Sequence, residues 1–269
     1  MALRDITLGQ FFPGTSLIHN LDPRTKIIAL TCYIIALFCA DSALTYVIMF
    51  GVLALAIGLS KVPISAIFKG MKPLIFILTF TGLLNMFYVP GETVLLTIWK
   101  LTITLEGLVV AFYMVIRIMM LVSGSFLLTY TTSPIRLTDG LEQLLNPLKV
   151  LKVPVHDLSM MMSIALRFIP NLIEETDKIM SAQRARGANF ESGGIVARAQ
   201  AMVPLLVPLF VSALRRAIEL ADAMDCRCYH GGEGRTRMTA LKYRKGDYLV
   251  IVFVISLVAL VLLLGHFGL

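Results

Sequence analysis

Apolar residues run almost unbroken through five stretches, Ile27–Ala40, Ala43–Leu59, Leu74–Val89, Gly107–Thr131 and Tyr248–Leu264, each bounded by polar or Pro/Gly punctuation. Stretches approaching ~20 apolar residues predict helices that cross a bilayer. The first is entered through LDPRTK. This places Asp22 as an N-cap, Pro23 at the first helical position, and Arg24 and Lys26 where long basic side chains can snorkel. A turn at Asp41 and Ser42 sends the chain back, and Lys61, Lys69 and Lys72 mark the starting side again. After the third stretch, Pro90 and Gly91 open a loop that carries Glu92 and a Trp99–Lys100 pair suited to the opposite interface. Arg117 lies inside the fourth stretch. An arginine at that depth is a functional candidate; it either has a structural role, pairing with a neighbouring helix or snorkelling, or shapes contacts with a partner protein.

From Pro134 to Gly246 the pattern changes. Apolar residues recur at helical spacing but are interrupted by charges and by Pro147, Pro154, Pro170, Pro204 and Pro208, which reads as amphipathic helices. Ser133 and Pro134 start a short helix with Ile135, Leu141, Leu144, Leu145 and Leu148 on its apolar side. Val155–Ile169 and Asn171–Arg186 follow, kinked or joined at Pro170, and Ile195–Arg227 is a further long stretch that its prolines should keep from being fully regular. A glycine-rich basic linker, HGGEGRTR, precedes the last apolar run.

Composition sets the solvent. Of 269 residues, 57% are hydrophobic and 15% charged, and the mean hydropathy is +0.82, more apolar surface than a soluble domain of this size can bury. The expected fold class is an all-α integral membrane protein, with about five transmembrane helices plus cytoplasmic amphipathic helices. The net charge is +7, and 16 of the 24 Lys and Arg lie between Pro134 and Gly246. By the retention of basic residues on the inner side, that region and the N-terminus are expected in the cytoplasm and the C-terminus outside. The organisation is therefore 1–26 as a cytoplasmic segment, 27–132 as four transmembrane helices, 133–247 as a cytoplasmic helical region, and 248–269 as a final transmembrane helix. Residues 1–26 lack the apolar core of a secretory signal. Cys32 and Cys39 sit in an apolar run and Cys226 and Cys228 are too close to pair easily, so reduced thiols are expected.

Two stretches of the amphipathic region resemble each other. Placing Arg186 of AQRARG on Arg227 of AMDCRCY also aligns Ala182 with Ala223 and Ile179 with Leu220, with acids upstream in both. Each arginine closes a helix, where the macrodipole favours a cation. A guanidinium offers a planar fork suited to a carboxylate-lined groove; capping plus inner-side anchoring is the plainer alternative. Arg184, on a roughly opposite helix face, takes that plainer role.

The order of HNLDPRTK (19–26), TTSP with DGLEQLLNPLK (131–149), MMSIALRFIPNLIEE (161–175), AQRARGA (182–188) and AMDCRCYHGGEGRTR (223–237) resembles the transmembrane (T) component, EcfT, of energy-coupling factor transporters. The resemblance implies a scaffold joining two cytosolic ATP-binding-cassette subunits to a small membrane protein that captures a vitamin. ATP and Mg would be bound by those ATPases, and no cofactor by this chain. It further implies that two Ala-Arg-Gly motifs end coupling helices, each arginine entering a groove of one ATPase. These fall on Ala185, Arg186 and Gly187, and on Cys226, Arg227 and Cys228. The second motif departs from the family pattern, with cysteines on both sides of its arginine. If the motif's glycine is a left-handed helix-ending residue, Cys228 there costs roughly 1 kcal/mol or more, or the stop moves to Gly231 and Gly232. A locally altered helix end is expected.

Cys226, Cys228 and His230 could ligate zinc but lack a fourth ligand and the usual spacing, so no metal site is expected. Arg235 and Arg237 suit anionic headgroups, the favoured reading, or an ATPase surface. Met160, Met161 and Met162 could line a surface that accepts different vitamin-binding subunits, methionine being adaptable, or could simply pack. No phosphate-binding GxxxxGK[ST] loop is present, so the chain is expected to be non-catalytic and to need an external motor. The alternatives are a membrane enzyme acting on lipid, for which the spans carry no acid–base, nucleophilic or metal cluster, and a stand-alone secondary transporter, for which Arg117 is thin support. The implied location is a prokaryotic cell membrane.

Overall fold

The computed structural model describes residues 11–40, 42–88, 93–98, 101–188, 190, 194–231 and 241–266. Its helices are α1 (Pro23–Phe38), α2 (Ala43–Ser60), α3 (Ile64–Met71), α4 (Ile75–Tyr88), α5 (Leu105–Thr131), α6 (Pro134–Leu145), α7 (Val155–Ala185), α8 (Ile195–Asp225) and α9 (Lys245–His266). Short 3₁₀ segments, Lys72–Leu74 and Asn146–Leu151, join α3 to α4 and follow α6. The chain divides into two compact units, Gly9–Leu141 with Leu241–Leu269, and Met1–Leu8 with Glu142–Ala240.

In the first unit, α1 packs on α9 and α5, and α5 is also the partner of α2, α3 and α4. Tyr33, Ala36, Leu37, Met49, Leu53, Met120, Leu257 and Val261 bury one core from α1, α2, α5 and α9; a second gathers Val62, Ile67, Met71 and Tyr130. Small residues permit close approach between elements. A Cβ on Gly70 would stand 2.8 Å from the Phe126 ring, and one on Gly140 would stand 3.0 Å from Pro23 Cβ. The outward faces are apolar: Phe76 is 78% exposed and Leu249 71%. Burial is thus confined to the helix–helix seams, and the rest of each surface suits hydrocarbon.

Polar residues fix the base of this unit. Asp22 N-caps α1, accepting from the Arg24 N–H, and Pro23 begins the helix, as the sequence indicates. The two basic residues behind it do not snorkel. The Arg24 guanidinium donates to both Asp22 oxygens at 2.9 Å and lies 3.9 Å from the centre of the Tyr243 ring. Buried Lys26 donates to the carbonyls of His19 and Thr131 and to Thr132 Oγ1. Two acceptors at the end of α5 and one in the segment before α1 supply what water would otherwise provide. Asp247, 1% exposed, accepts from the N–H of Asp22 at 2.8 Å and from that of Arg244 at 2.7 Å. One carboxylate therefore ties the starts of α1 and α9.

Arg117 extends from the middle of α5 to the α1–α2 turn, where it donates to Tyr46 Oη at 2.8 Å and to the Ala40 carbonyl at 2.9 Å. The bond to Ala40 satisfies an acceptor left over beyond the end of α1, of the kind every helix terminus leaves.

Three expectations are revised. Five described helices are long and apolar enough to cross a membrane, but they are Ala43–Ser60, Ile64–Phe87, Leu105–Thr131, Gln200–Asp225 and Lys245–His266. The number matches the five apolar runs; the membership does not, because α1 has only 16 residues and α8 carries an apolar half. The connection between α4 and α5 contains an antiparallel hairpin, Val94–Ile98 with Leu101–Thr104, rather than only a loop. Its β-branched residues, Val94, Thr97, Ile98, Thr102, Ile103 and Thr104, carry that signal. Glu92, Trp99 and Lys100 lie outside the described residues. Finally, α7 runs through Pro170, and α8 runs through Pro204 and Pro208. Prolines four apart put both missing donors on one helix face, so the α8 ladder continues on the other sides.

Candidate functional site

The second unit brings the two arginine motifs onto paired helices. Ile164, Phe168 and Leu172 of α7 line a groove of about 280 Å³ with Ala213, Ala217, Leu220 and Met224 of α8. Alongside it, Arg216 Nη2 of α8 donates to Glu175 Oε2 of α7 at 2.7 Å. Groove residues on α7 precede Glu175, whereas those on α8 mostly follow Arg216. The two chains therefore run in opposing senses past this ion pair, and the helix ends beyond it head in different directions.

Those ends are the same structure built twice. At the end of α7, the Ala188 N–H bonds to the Gln183 carbonyl and the Gly187 N–H to that of Arg184. At the end of α8, the Tyr229 N–H bonds to the Met224 carbonyl and the Cys228 N–H to that of Asp225. Both are Schellman closures, in which a left-handed residue lets two amides return to the last carbonyls. Gly187 has φ +91° and Cys228 has φ +55°. The residue just before the reversal is Arg186 in one case and Arg227 in the other. Both arginines are exposed, and among the described residues neither guanidinium has a hydrogen-bond or ion-pair partner.

The altered end expected at the second motif is absent. The stop does not move on, although Gly231 is also left-handed at φ +97°, and Gly232 lies outside the described residues. Cys228 takes the strained conformation itself because the main-chain closure outweighs a penalty of about 1–2 kcal/mol for a Cβ in that region. Ala185, Cys226 and Cys228 are exposed, and all four cysteines are free thiols. Cys226, Cys228 and His230 form no metal-binding group among the described residues.

Met161 and Met162 are exposed at 54% and 46%, and Met160 is half-buried. Consecutive helical residues point about 100° apart, so the three do not share one face. Arg235 and Arg237 lie outside the described residues. The Glu175–Arg216 pair was not picked out from sequence, although a signal exists: Glu175 and Arg216 are 41 residues apart, the same offset as Arg186 and Arg227.

A multi-pass helical membrane protein with a separate unit of paired amphipathic helices, each ending in an outward arginine, belongs among membrane transport components rather than soluble domains. The family model described as cobalt transport protein, CbiQ, matches residues 14–238. Proteins named energy-coupling factor transporter transmembrane protein EcfT are similar along nearly the whole chain. That of Acidaminococcus fermentans is 51% identical over 259 residues, covering 96% of each chain. That of Ruminiclostridium cellulolyticum is 48% identical over 264 residues, covering 98% of each, and that of Bacillus subtilis 49% over 258 residues, covering 96% of this chain and 97% of its own. The chain belongs to the EcfT family, the transmembrane components of energy-coupling factor transporters.

Proposed function

We propose that this chain is the non-catalytic scaffold that couples ATP hydrolysis by two cytosolic ATPase subunits to uptake of a vitamin through a separate substrate-binding membrane subunit. The observation that carries the reading is the pair of matching helix ends, each presenting an exposed arginine without a partner among the described residues. A guanidinium held at a closed helix terminus is pre-organised for a carboxylate-lined groove, since little rotational freedom of the backbone remains to be lost. Two such ends suit two related motor subunits. Closure of the ATPases on ATP and Mg would move α7 and α8, and the exposed apolar face of these helices, Met161 and Met162 included, would pass that motion to the substrate-binding subunit. In this reading the N-terminus and the arginine-bearing ends of α7 and α8 lie on the cytoplasmic side of a prokaryotic cell membrane, as the distribution of basic residues supports.

The test is gentle-detergent purification of the tagged chain, followed by mass spectrometry and an ATPase assay of what accompanies it. Two related ATPases and a small membrane protein are expected. Arg186→Glu combined with Arg227→Glu should remove the ATPases or uncouple hydrolysis from uptake. A chain that transports alone, or a double variant that keeps its ATPases and its uptake, overturns the reading.

A further inference from the structure

A second site is built within the first unit. α2, α3 and α5 enclose an open groove of about 660 Å³ whose walls include Phe50, Ala54, Ile67, Phe68 and Met120. Its size falls in the ~300–1,000 Å³ range in which a small ligand is largely enclosed. One charged residue lines it, Lys61. The lysine is exposed, and its ammonium has no hydrogen-bond or ion-pair partner among the described residues.

The backbone at Lys61 is held at φ +57°, the left-handed conformation that ordinarily falls to glycine at a helix end. The turn is locked: Ser60 Oγ donates to the Ile57 carbonyl at 2.7 Å and accepts from the Val62 N–H at 3.2 Å. A side chain kept where glycine would be easier points to a use for that side chain. Along this part of the chain the charge has one sign. Between Asp41 and Glu92 the sequence contains Lys61, Lys69 and Lys72 and no acidic residue, and all three lysines are exposed. Lys69 and Lys72 flank the end of α3, whose Ile67 and Phe68 contribute to the groove.

We propose that this groove binds an anionic phospholipid, its acyl chain lying against Phe50, Ile67 and Phe68 and its phosphate paired with Lys61, with Lys69 and Lys72 supplying further positive potential. An apolar trough, and a lysine in its lining whose ammonium has no partner among the described residues, complement the two parts of such a ligand. A zwitterionic lipid would fill the trough equally well but would gain less from Lys61 and from two further exposed lysines that follow it in the chain with no acid between them.

Native mass spectrometry of the full-length chain in mild detergent, titrated with dioleoyl phosphatidylglycerol or dioleoyl phosphatidylcholine, tests the proposal. Phosphatidylglycerol should bind at least about fivefold more tightly, the effect of roughly one basic residue at an anionic surface. Lys61→Gln should abolish the preference and Lys61→Arg should keep it. Lys61→Gly removes charge and strain together, so it should raise thermal stability in lipid-free detergent while losing the preference, which separates binding from folding. Gly58→Phe, at a groove position with open space around a Cβ, should weaken both lipids alike. Equal binding of the two lipids by the natural protein, or an unchanged preference in Lys61→Gln, overturns the proposal. So does a photo-crosslinker placed at Phe68 that captures a protein helix instead of phospholipid in cell membranes.

Discussion

Arg216 donates to Glu175 at 2.7 Å across the two long amphipathic helices, and this contact joins equivalent positions of a 41-residue repeat. Arg186 lies 11 residues beyond Glu175, and Arg227 lies 11 residues beyond Arg216. At 1.5 Å per residue, each arginine stands about 16 Å along its helix from a shared pin, so the pair can reach at most about 33 Å apart along the helix axes. A partly exposed ion pair contributes no more than about 1 kcal/mol, so Glu175→Gln or Arg216→Gln should shift the melting temperature only slightly. Under the proposed function the loss should appear in coupling instead, as a severalfold rise in ATP consumed per vitamin imported. Exchanging the charges, Glu175→Arg with Arg216→Glu, should recover it. Unchanged stoichiometry in the single variants would limit the pair to local packing.

Cys228 occupies a left-handed position with open surroundings, so a glycine there should be more stable by about 1 kcal/mol. Gly187→Ala imposes the reverse at the first motif. Thermal unfolding in detergent should therefore rise for Cys228→Gly and fall for Gly187→Ala. The same sign in both would contradict the shared closure.

Arg117→Leu removes both donors and leaves the buried Tyr46 hydroxyl and the Ala40 carbonyl short of a partner. A cost of about 1–3 kcal/mol follows for each buried group left unsatisfied. Arg117→Lys, with a single donating nitrogen, should recover only part of it. A scanning calorimetry series that ranks the natural protein above Lys and Lys above Leu is expected.

Asp247→Ala should be among the more damaging single changes. Two main-chain donors at the starts of α1 and α9 lose a charged acceptor, for a loss of about 3 kcal/mol or more. Asp247→Asn keeps one acceptor oxygen and should fall between. Limited proteolysis near residue 22 and near residue 244 should accelerate together in the alanine variant.

Asp22 adds an acid-sensitive element. Burial pushes its carboxyl up, but hydrogen bonds from the Arg24 side chain and backbone, with the Arg24 charge, bring it below the ordinary value. A lowered folded value means that the stabilisation is complete above the ordinary carboxylate range and is lost as pH falls through the folded value. The melting temperature of the natural protein should drop more steeply below about pH 4 than that of Asp22→Asn. Parallel curves would remove Asp22 from the acid response.

By itself the sequence determined the membrane class, the start of α1 at Asp22 and Pro23, the apolar α2, α5 and α9, and the two arginines as helix-ending residues. These depend on local chemistry: the span of an apolar run, the preformed φ of proline, the preference of a cation for a helix C-terminus. The tertiary structure decided what depends on a partner distant in sequence. Lys26 is buried rather than snorkelling because Thr131 and Thr132 are there to accept from it, and Asp247 matters because α1 begins beside it. It also decided that α7 and α8 continue through their prolines and that Cys228 adopts a conformation usually left to glycine. In each case a local penalty of one or a few kcal/mol is outweighed by helix packing and main-chain closure, a balance that residue identity alone does not reveal.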